Sequence, residues 1–103
     1  MGMYKEAMSE QGILGSQQLT TAQHGATVRV AGQVVMHQVP PTAKGHHFVT
    51  LEDVEGMMNV IVRPDVYEKY RLALRSEPLL VITGEVQKKG TVINVIAQRI
   101  VGL

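Results

Sequence analysis

The sequence predicts an all-β domain, a five-stranded Greek-key barrel with one helix between the third and fourth strands and a short helical arm at the N-terminus. Five runs rich in β-branched and apolar residues are separated by segments that contain glycine or proline. The segment between the third and fourth runs carries helical periodicity instead. A chain of 103 residues has room for one modest hydrophobic core, so a single barrel is expected.

The centre of the predicted fold is a hairpin over residues 46–63. Strands are predicted over 46–54 and 57–63, and the acidic stretch 51–56, which contains Asp53 and ends at Gly56, carries the chain from one to the other. Asp accepts hydrogen bonds from nearby backbone N–H groups, and Gly tolerates positive φ, so this pair favours a tight turn. We therefore expect two antiparallel strands here, with the remaining strands added on either side.

The clearest predicted strand covers residues 27–38. Its alternation predicts a core-facing set that consists of Val28, Val30, Gly32, Val34 and Met36. Gly32 in the middle of the strand predicts a bend or bulge, where the strand passes from one part of a curved sheet into another. Residues 39–45 are predicted to be a loop, because two prolines and a glycine exclude a regular ladder.

An amphipathic helix is predicted over residues 65–75. Apolar residues at positions 66, 70, 73 and 74 have the i, i+4, i+7, i+8 spacing of one helix face. Pro64 suits the first helical turn, because its missing N–H has no intrahelical partner there. Two further strands follow, over residues 79–87 and 91–101, joined by the basic turn Lys88-Lys89-Gly90.

The order of three strands, a helix and two strands is that of the OB-fold, a small Greek-key barrel. The alternative is an open five-stranded sheet covered by the helix. The bend expected at Gly32 and the two-sided apolar character of the fourth strand favour the barrel.

The domain organisation is interpreted as an N-terminal arm or linker over residues 1–26 and an OB-fold domain over residues 27–103. Residues 1–10 predict two helical turns, and Ser16 suits the N-cap of a second helix over residues 17–23. Such short helices are marginal in isolation. The arm therefore either packs on the barrel or belongs to the tail of a neighbouring domain.

Composition excludes several classes of protein. The net charge of +1 is too close to neutral to indicate nucleic-acid binding by itself. The absence of cysteine excludes a disulfide framework and a thiol nucleophile. No apolar run approaches the ~20 residues of a membrane span, and residues 1–11 lack the apolar stretch of a signal peptide. We expect a cytoplasmic protein without membrane contact.

The sequence predicts no catalytic site, metal or cofactor. Asp53 and Glu55 lie in the hairpin turn, where a carboxylate usually caps the turn rather than acting as a general acid. Adjacent strand residues point to opposite faces, so His46 and His47 are not expected to share a metal ion. The chain is therefore predicted to be non-catalytic.

Several segments of the chain carry a family resemblance. In the first half they are Val-Arg-Val-Ala-Gly at 28–32, Pro-Thr-Ala-Lys-Gly at 41–45 and Phe-Val-Thr-Leu-Glu-Asp at 48–53, followed by Gly56. In the second half they are Asn-Val-Ile-Val at 59–62, Pro-Asp-Val-Tyr at 64–67, Gly-Glu-Val-Gln at 84–87 and Val-Ile-Asn-Val-Ile-Ala-Gln-Arg-Ile at 92–100. Together they resemble the OB domain of the bacterial DNA polymerase III alpha subunit, closest to its error-prone, mutagenic-repair branch. The resemblance covers about residues 20–103. It implies an accessory domain that contacts single-stranded template DNA, with other polymerase domains or replisome proteins as further partners.

OB domains bind single strands with a basic groove and stacking side chains, mainly on the second and third barrel strands and the flanking loops. On this basis the predicted nucleic-acid-binding residues are Lys44, His46, Phe48, Asn59, Arg63, Lys88 and Lys89. Phe48 alternates with Val49 and Leu51, and it is an outward stacking platform if those two face the core. The opposite interpretation is a Phe48 packed under a loop and cations that are simply solvated.

Two other uses of the same fold remain open. An OB module for protein contacts would use exposed apolar residues such as Val35 and Ile61. An anticodon-type domain would prefer structured RNA to single-stranded DNA.

Overall fold

The computed structural model describes residues 13–102 of the chain. In this range the elements are β1 (Ile13–Leu14), α1 (Ser16–Leu19), β2 (Thr27–Gln38), a 3-10 turn (Pro41–Ala43), β3 (His47–Glu52), β4 (Met57–Val62), α2 (Pro64–Ser76), β5 (Leu80–Lys89) and β6 (Val92–Gly102). The predicted ends of the five long strands and of α2 lie within about two residues of these bounds, a normal scatter for element ends. The helix predicted over residues 1–10 lies outside the described residues.

The sheet closes into a barrel. Neighbouring strands follow the order β2, β3, β4, β6, β5, and β5 pairs again with β2. All these pairings are antiparallel except that of β4 with β6. The predicted OB-fold barrel is therefore confirmed, and the open sheet is excluded.

Gly32 lies where β2 changes its partner. The first half of β2, from Thr27 to Gly32, pairs with β5, and the second half, from Gln33, pairs with β3. A Cβ atom on residue 32 would lie 2.7 Å from the backbone oxygen of Glu52. The barrel corner therefore requires a residue without a side chain, as the mid-strand glycine predicted.

The prediction that Met36 faces the core is wrong. The pairing of β2 with β3 shifts between Val34 and Met36, so β2 carries an extra residue at this point. Such a bulge reverses the alternation of the side chains that follow it. Met36 consequently pairs with Thr50 on the outer surface of the barrel, and its side chain is 52% exposed.

The core is an apolar interior to which every long strand contributes. In β3, Val49 and Leu51 are only 2% and 0% exposed. Among residues 13–102 the other fully buried large side chains are Leu80, Ile82, Ile100, Val30, Val60, Val62, Val86 and Val95. Helix α2 adds Val66 and Leu74, which are buried on the face that the i, i+4, i+7, i+8 spacing predicted.

The N-terminal segment is attached to the barrel. Strand β1 runs parallel to β2, with Ile13 opposite Arg29. Helix α1 buries Leu19 in the main core, and the backbone of Gly25 donates a hydrogen bond to Val86. Residues 13–26 therefore pack on the barrel.

The second predicted helix differs from expectation at both ends. Gly15, not Ser16, is the N-cap of α1, and the helix ends at Leu19 rather than at Gln23. The N-cap differs because the Asp53 carboxylate accepts hydrogen bonds from both the backbone N–H and the hydroxyl of Ser16. The Ser16 hydroxyl is thus already used in a tertiary contact and does not cap its own helix.

Candidate nucleic-acid interface

Phe48 projects from the outer surface of the barrel. Because Val49 and Leu51 are buried, alternation along β3 sends Phe48 and Thr50 outward. Phe48 is 38% exposed and pairs with Gln38 of β2 on one side and Ile61 of β4 on the other. The orientation predicted for Phe48 is therefore the one observed.

Two rows of side chains cross the barrel surface from β3 to β6. Directly opposite positions in a ladder place their side chains on the same face. One row is apolar and consists of Phe48, Ile61 and Ile96; the other is polar and consists of Thr50, Asn59 and Asn94. Asn59 is exposed in the middle of the polar row. The surface thus offers apolar contact area beside hydroxyl and amide groups.

A cleft of about 310 Å³ opens at one end of this surface. Its lining residues are His46, Ile61, Arg63, Gln87 and Ile96. Arg63 is exposed between the end of β4 and the start of α2, where it is the helix N-cap. His46 immediately precedes β3. The structure therefore brings two of the predicted binding residues, His46 and Arg63, to the same cleft.

Lys44 lies in the loop that joins β2 to β3, at the end of the barrel where His46 and Arg63 also lie. Its side chain is exposed, and its backbone is left-handed, with φ 52° and ψ 43°. This conformation is uncommon for a residue with a Cβ atom. Gly45 follows with φ 86°, so two consecutive residues of positive φ turn the chain toward β3. A cation is thus held at the tip of a tightly turned loop.

Lys88 and Lys89 lie at the other end of the barrel. They belong to the β5–β6 hairpin, and β6 runs parallel to β4 with Asn94 opposite Asn59. The hairpin is therefore beside the start of β4, far along the strand from Arg63. Lys89 is exposed, whereas the Lys88 Nζ donates to the Thr20 carbonyl at 2.8 Å and its backbone N–H donates to His24 Nδ1 at 3.0 Å.

A histidine pair that the sequence analysis did not identify lies beneath the β2–β3 loop. His37 Nε2 and His47 Nδ1 are 2.7 Å apart, and the His47 ring stacks on Tyr67 of α2 with centroids 3.6 Å apart. Burial lowers the pKa of His37, and so does the nearby positive charge of Arg75. Burial also lowers the pKa of His47, with smaller contributions from His37 and Arg75.

The adjacent residues His46 and His47 have different surroundings. His47 turns toward α2, while His46 lines the outer cleft, as the alternation of strand residues predicted. In residues 13–102 no three His, Cys, Asp or Glu side chains are grouped closely enough to hold a metal ion.

Gln87 and Ile96 are the lining residues that the sequence analysis missed. Gln87 follows the buried Val86, and Ile96 lies between the buried Val95 and Ala97, so both are on the outer side of their strands. Alternation alone would have placed them outward. That they line the same cleft as Arg63 follows from the register of the barrel strands, which could not be predicted from the sequence.

No helix in the described part of the chain has the length and apolar character needed to cross a membrane.

The surface at the cleft carries both signs of charge. Glu85 lies directly across from the cleft residue Ile96. Glu52 is exposed opposite Met57 at the start of β4, the end of the barrel where Lys88 and Lys89 also lie.

Known proteins resemble this chain in sequence and in fold. Residues 28–101 match the family described as OB-fold nucleic acid binding domain. A protein of Bdellovibrio bacteriovorus named error-prone DNA polymerase is 47% identical over 76 residues, which are 74% of this chain and 7% of that protein. A Caulobacter vibrioides protein of the same name is 37% identical over 103 residues, 100% of this chain and 10% of the relative. The chain therefore spans at most about a tenth of the length of these relatives.

Solved structures share the fold at lower identity. Asparaginyl-tRNA synthetase from Pyrococcus horikoshii complexed with asparaginyl-adenylate superposes with a TM-score of 0.72 at 18% identity, over 87% of this chain and 22% of that one. OBody AM1L10 bound to hen egg-white lysozyme gives 0.70 at 24% identity, over 87% and 89% of the two chains. The resemblance to error-prone DNA polymerases is confirmed by the sequence relatives, and the chain belongs to the family of OB-fold nucleic acid binding domains.

Proposed function

We propose that this chain is the single-stranded DNA-binding module of an error-prone DNA polymerase of the polymerase III alpha type. In this proposal it is non-catalytic, acts in the cytoplasm and contacts the template strand. The observation that carries the proposal is the exposed ring of Phe48, in register with Ile61, beside a cleft that contains His46 and Arg63. The proposal that the parent protein is an error-prone DNA polymerase is supported by the names of the sequence relatives.

The proposed mechanism divides the binding face into phosphate contacts and base contacts. Lys44 and Arg63 hold phosphates at one end, because cations replace the counterions of the backbone. His46 contacts the same phosphates through a ring N–H. Phe48 stacks on a base, since every base has an aromatic face, and the Asn59 amide meets a base edge.

The β5–β6 hairpin is the far lip of the proposed binding face. Lys89 is exposed there and contacts phosphate without hindrance. Lys88 can do so while it keeps its contact to Thr20, because an ammonium group has three N–H donors. A strand that crosses from Lys44 to Lys89 would run over Phe48 and Asn59.

Binding by this chain alone should be weak and sensitive to salt. One aromatic stack contributes only ~1–3 kcal/mol, and the net charge is +1. Within a polymerase, attachment to neighbouring domains would raise the effective concentration of DNA at the site. A weak module is therefore sufficient for a template contact.

The test is a fluorescence anisotropy titration with a short labelled oligodeoxynucleotide at low and high salt. We expect Phe48→Ala combined with Lys44→Asn to weaken binding at least about tenfold, since a stack and a phosphate contact are lost. Lys69→Gln on the exposed side of α2 is the matched control and should leave binding unchanged. Absence of binding at low salt, or equal binding by the double variant, would remove the proposal.

A second candidate is a protein-contact module. It is favoured by a group of exposed apolar residues on and after the bulged half of β2, namely Val35, Met36 and Val39. Gel filtration that shows a dimer, together with no DNA binding, would support this function. A preference for structured RNA in the same titration would instead support the anticodon-type use.

A further inference from the structure

We propose that the cleft between β4, β5 and β6 is a binding site for one unpaired nucleobase, with Gln87 as the side chain that hydrogen-bonds its edge. This inference rests on the proposed single-strand binding and extends it beyond the face of Phe48. The cleft volume of about 310 Å³ is at the lower end of the range for small-ligand sites. It suits a single nucleotide unit.

The floor of the cleft is apolar. Ile61 and Ile96 lie directly opposite each other in the parallel β4–β6 pair, and both are half-buried. On its other side Ile61 is in register with Phe48. A base that covers the two isoleucines would therefore lie beside a base stacked on Phe48, along the same row of the barrel surface.

The polar side chains around the cleft determine the orientation of a bound nucleotide. Arg63 has only donors, which suits a phosphate. Gln87 offers one N–H donor group and one carbonyl acceptor side by side, a pattern that matches a base edge and not a phosphate. The Glu85 carboxylate lies one outward position away from Gln87 on β5 and would repel a phosphate there. The base thus points toward β5 and its phosphate toward Arg63.

Adenine is a suitable probe for this arrangement. Its exposed edges place an amino donor next to a ring-nitrogen acceptor, the pattern that a glutamine amide pairs with twice. We therefore choose deoxyadenosine monophosphate, with deoxyribose 5-phosphate as the matched compound that lacks the base.

The experiment follows the isoleucine δ1 methyl signals of the 13C-labelled chain by NMR during titration. We expect deoxyadenosine monophosphate to shift the Ile61 and Ile96 methyls through its ring current, in a saturable manner. The methyls of Ile82 and Ile100, which are 0% and 1% exposed, serve as internal references. Deoxyribose 5-phosphate should leave all four signals in place.

Gln87→Leu tests the hydrogen bond, because leucine keeps the approximate size and removes the amide. We expect the dissociation constant of deoxyadenosine monophosphate to rise about 25-fold, because two net hydrogen bonds are lost and each contributes about fivefold. Gln33→Leu is the control, since Gln33 is exposed on β2 outside the cleft.

The inference is overturned if the two methyls do not shift, if the sugar phosphate shifts them equally, or if Gln87→Leu binds as well as the unmodified chain. If an oligonucleotide still binds in a manner that depends on Lys44 and Phe48, only this subsite is lost. Failure of every oligonucleotide to bind would instead be the failure of the proposed function.

Discussion

The Asp53 carboxylate accepts two hydrogen bonds from Ser16, one from its backbone N–H at 2.7 Å and one from its hydroxyl at 2.9 Å. The same carboxylate accepts the backbone N–H groups of Glu55 and Gly56, each at 2.9 Å. One side chain therefore closes the β3–β4 turn and attaches the N-terminal segment to it. The pattern Leu-Glu-Asp predicted a turn cap, and the structure adds a tertiary contact.

Removal of this carboxylate should destabilise the domain. We expect Asp53→Ala to lower the free energy of unfolding by about 2–3 kcal/mol, because hydrogen bonds to a charged group contribute more than neutral ones. Asp53→Asn should cost less, since its amide oxygen still accepts the turn N–H groups. Urea denaturation measures both, with Glu68→Ala on the exposed face of α2 as the control. A loss for Asp53→Ala no larger than that of the control would contradict the assignment.

Replacement of Gly32 by alanine should disturb the barrel corner. The added Cβ would lie 2.7 Å from the Glu52 carbonyl oxygen, a backbone atom that cannot move aside without distorting β3. We expect a loss of about 1–3 kcal/mol, as for other overpacked sites. Thermal unfolding gives the comparison with Gly102→Ala, whose Cβ would meet only the flexible Glu77 side chain. Similar melting temperatures for the two variants would show that the corner tolerates a side chain.

The sequence was sufficient to predict features that depend on local patterns. Alternation predicted that Phe48 faces outward, and the glycine in mid-strand predicted the corner at Gly32. Alternation failed at Met36, because a bulge depends on how two strands fit together and leaves no fixed residue signature.

Contacts between distant segments could not be predicted in the same way. His37 and His47 meet only because the β2–β3 loop returns the chain to the same end of the barrel. Gln87 and Arg63 line the same cleft only because the sheet curls. The outward orientation of candidate side chains was therefore predictable on β3 and β4, whereas the positions of Gln87 and Ile96 in the cleft were not.

The charge of Lys44 should determine part of the salt dependence of DNA binding. A Lys44→Asn variant removes the cation, and asparagine tolerates the left-handed backbone found at this position. We expect the slope of log affinity against log salt to become smaller by ~0.7, the value for one phosphate contact on a single strand. Anisotropy titrations over several salt concentrations measure the slope, with Lys69→Gln as the control. An unchanged slope would mean that Lys44 does not contact phosphate.

The stability of the domain should fall as the pH decreases below about 6.5, the ordinary pKa of histidine. Burial lowers the pKa of His37 and of His47 in the folded chain, and Arg75 acts in the same direction. In this range the unfolded chain binds more protons than the folded one, so acid favours unfolding and the lost stability returns as the pH rises. One added proton still permits the hydrogen bond between the rings; a second breaks it, because both nitrogens then carry hydrogen.

Urea denaturation between pH 5 and pH 8 tests this expectation. In the double variant His37→Asn and His47→Phe no ring of the pair titrates, while a phenyl ring can still stack on Tyr67. We therefore expect the unfolding midpoint of this variant to vary less with pH than that of the unmodified chain. His24→Asn is the matched control, because His24 lies apart from the pair and accepts a hydrogen bond from the Lys88 backbone. If the double variant keeps the full pH dependence, the linkage arises from other groups and the pair is only a packing contact.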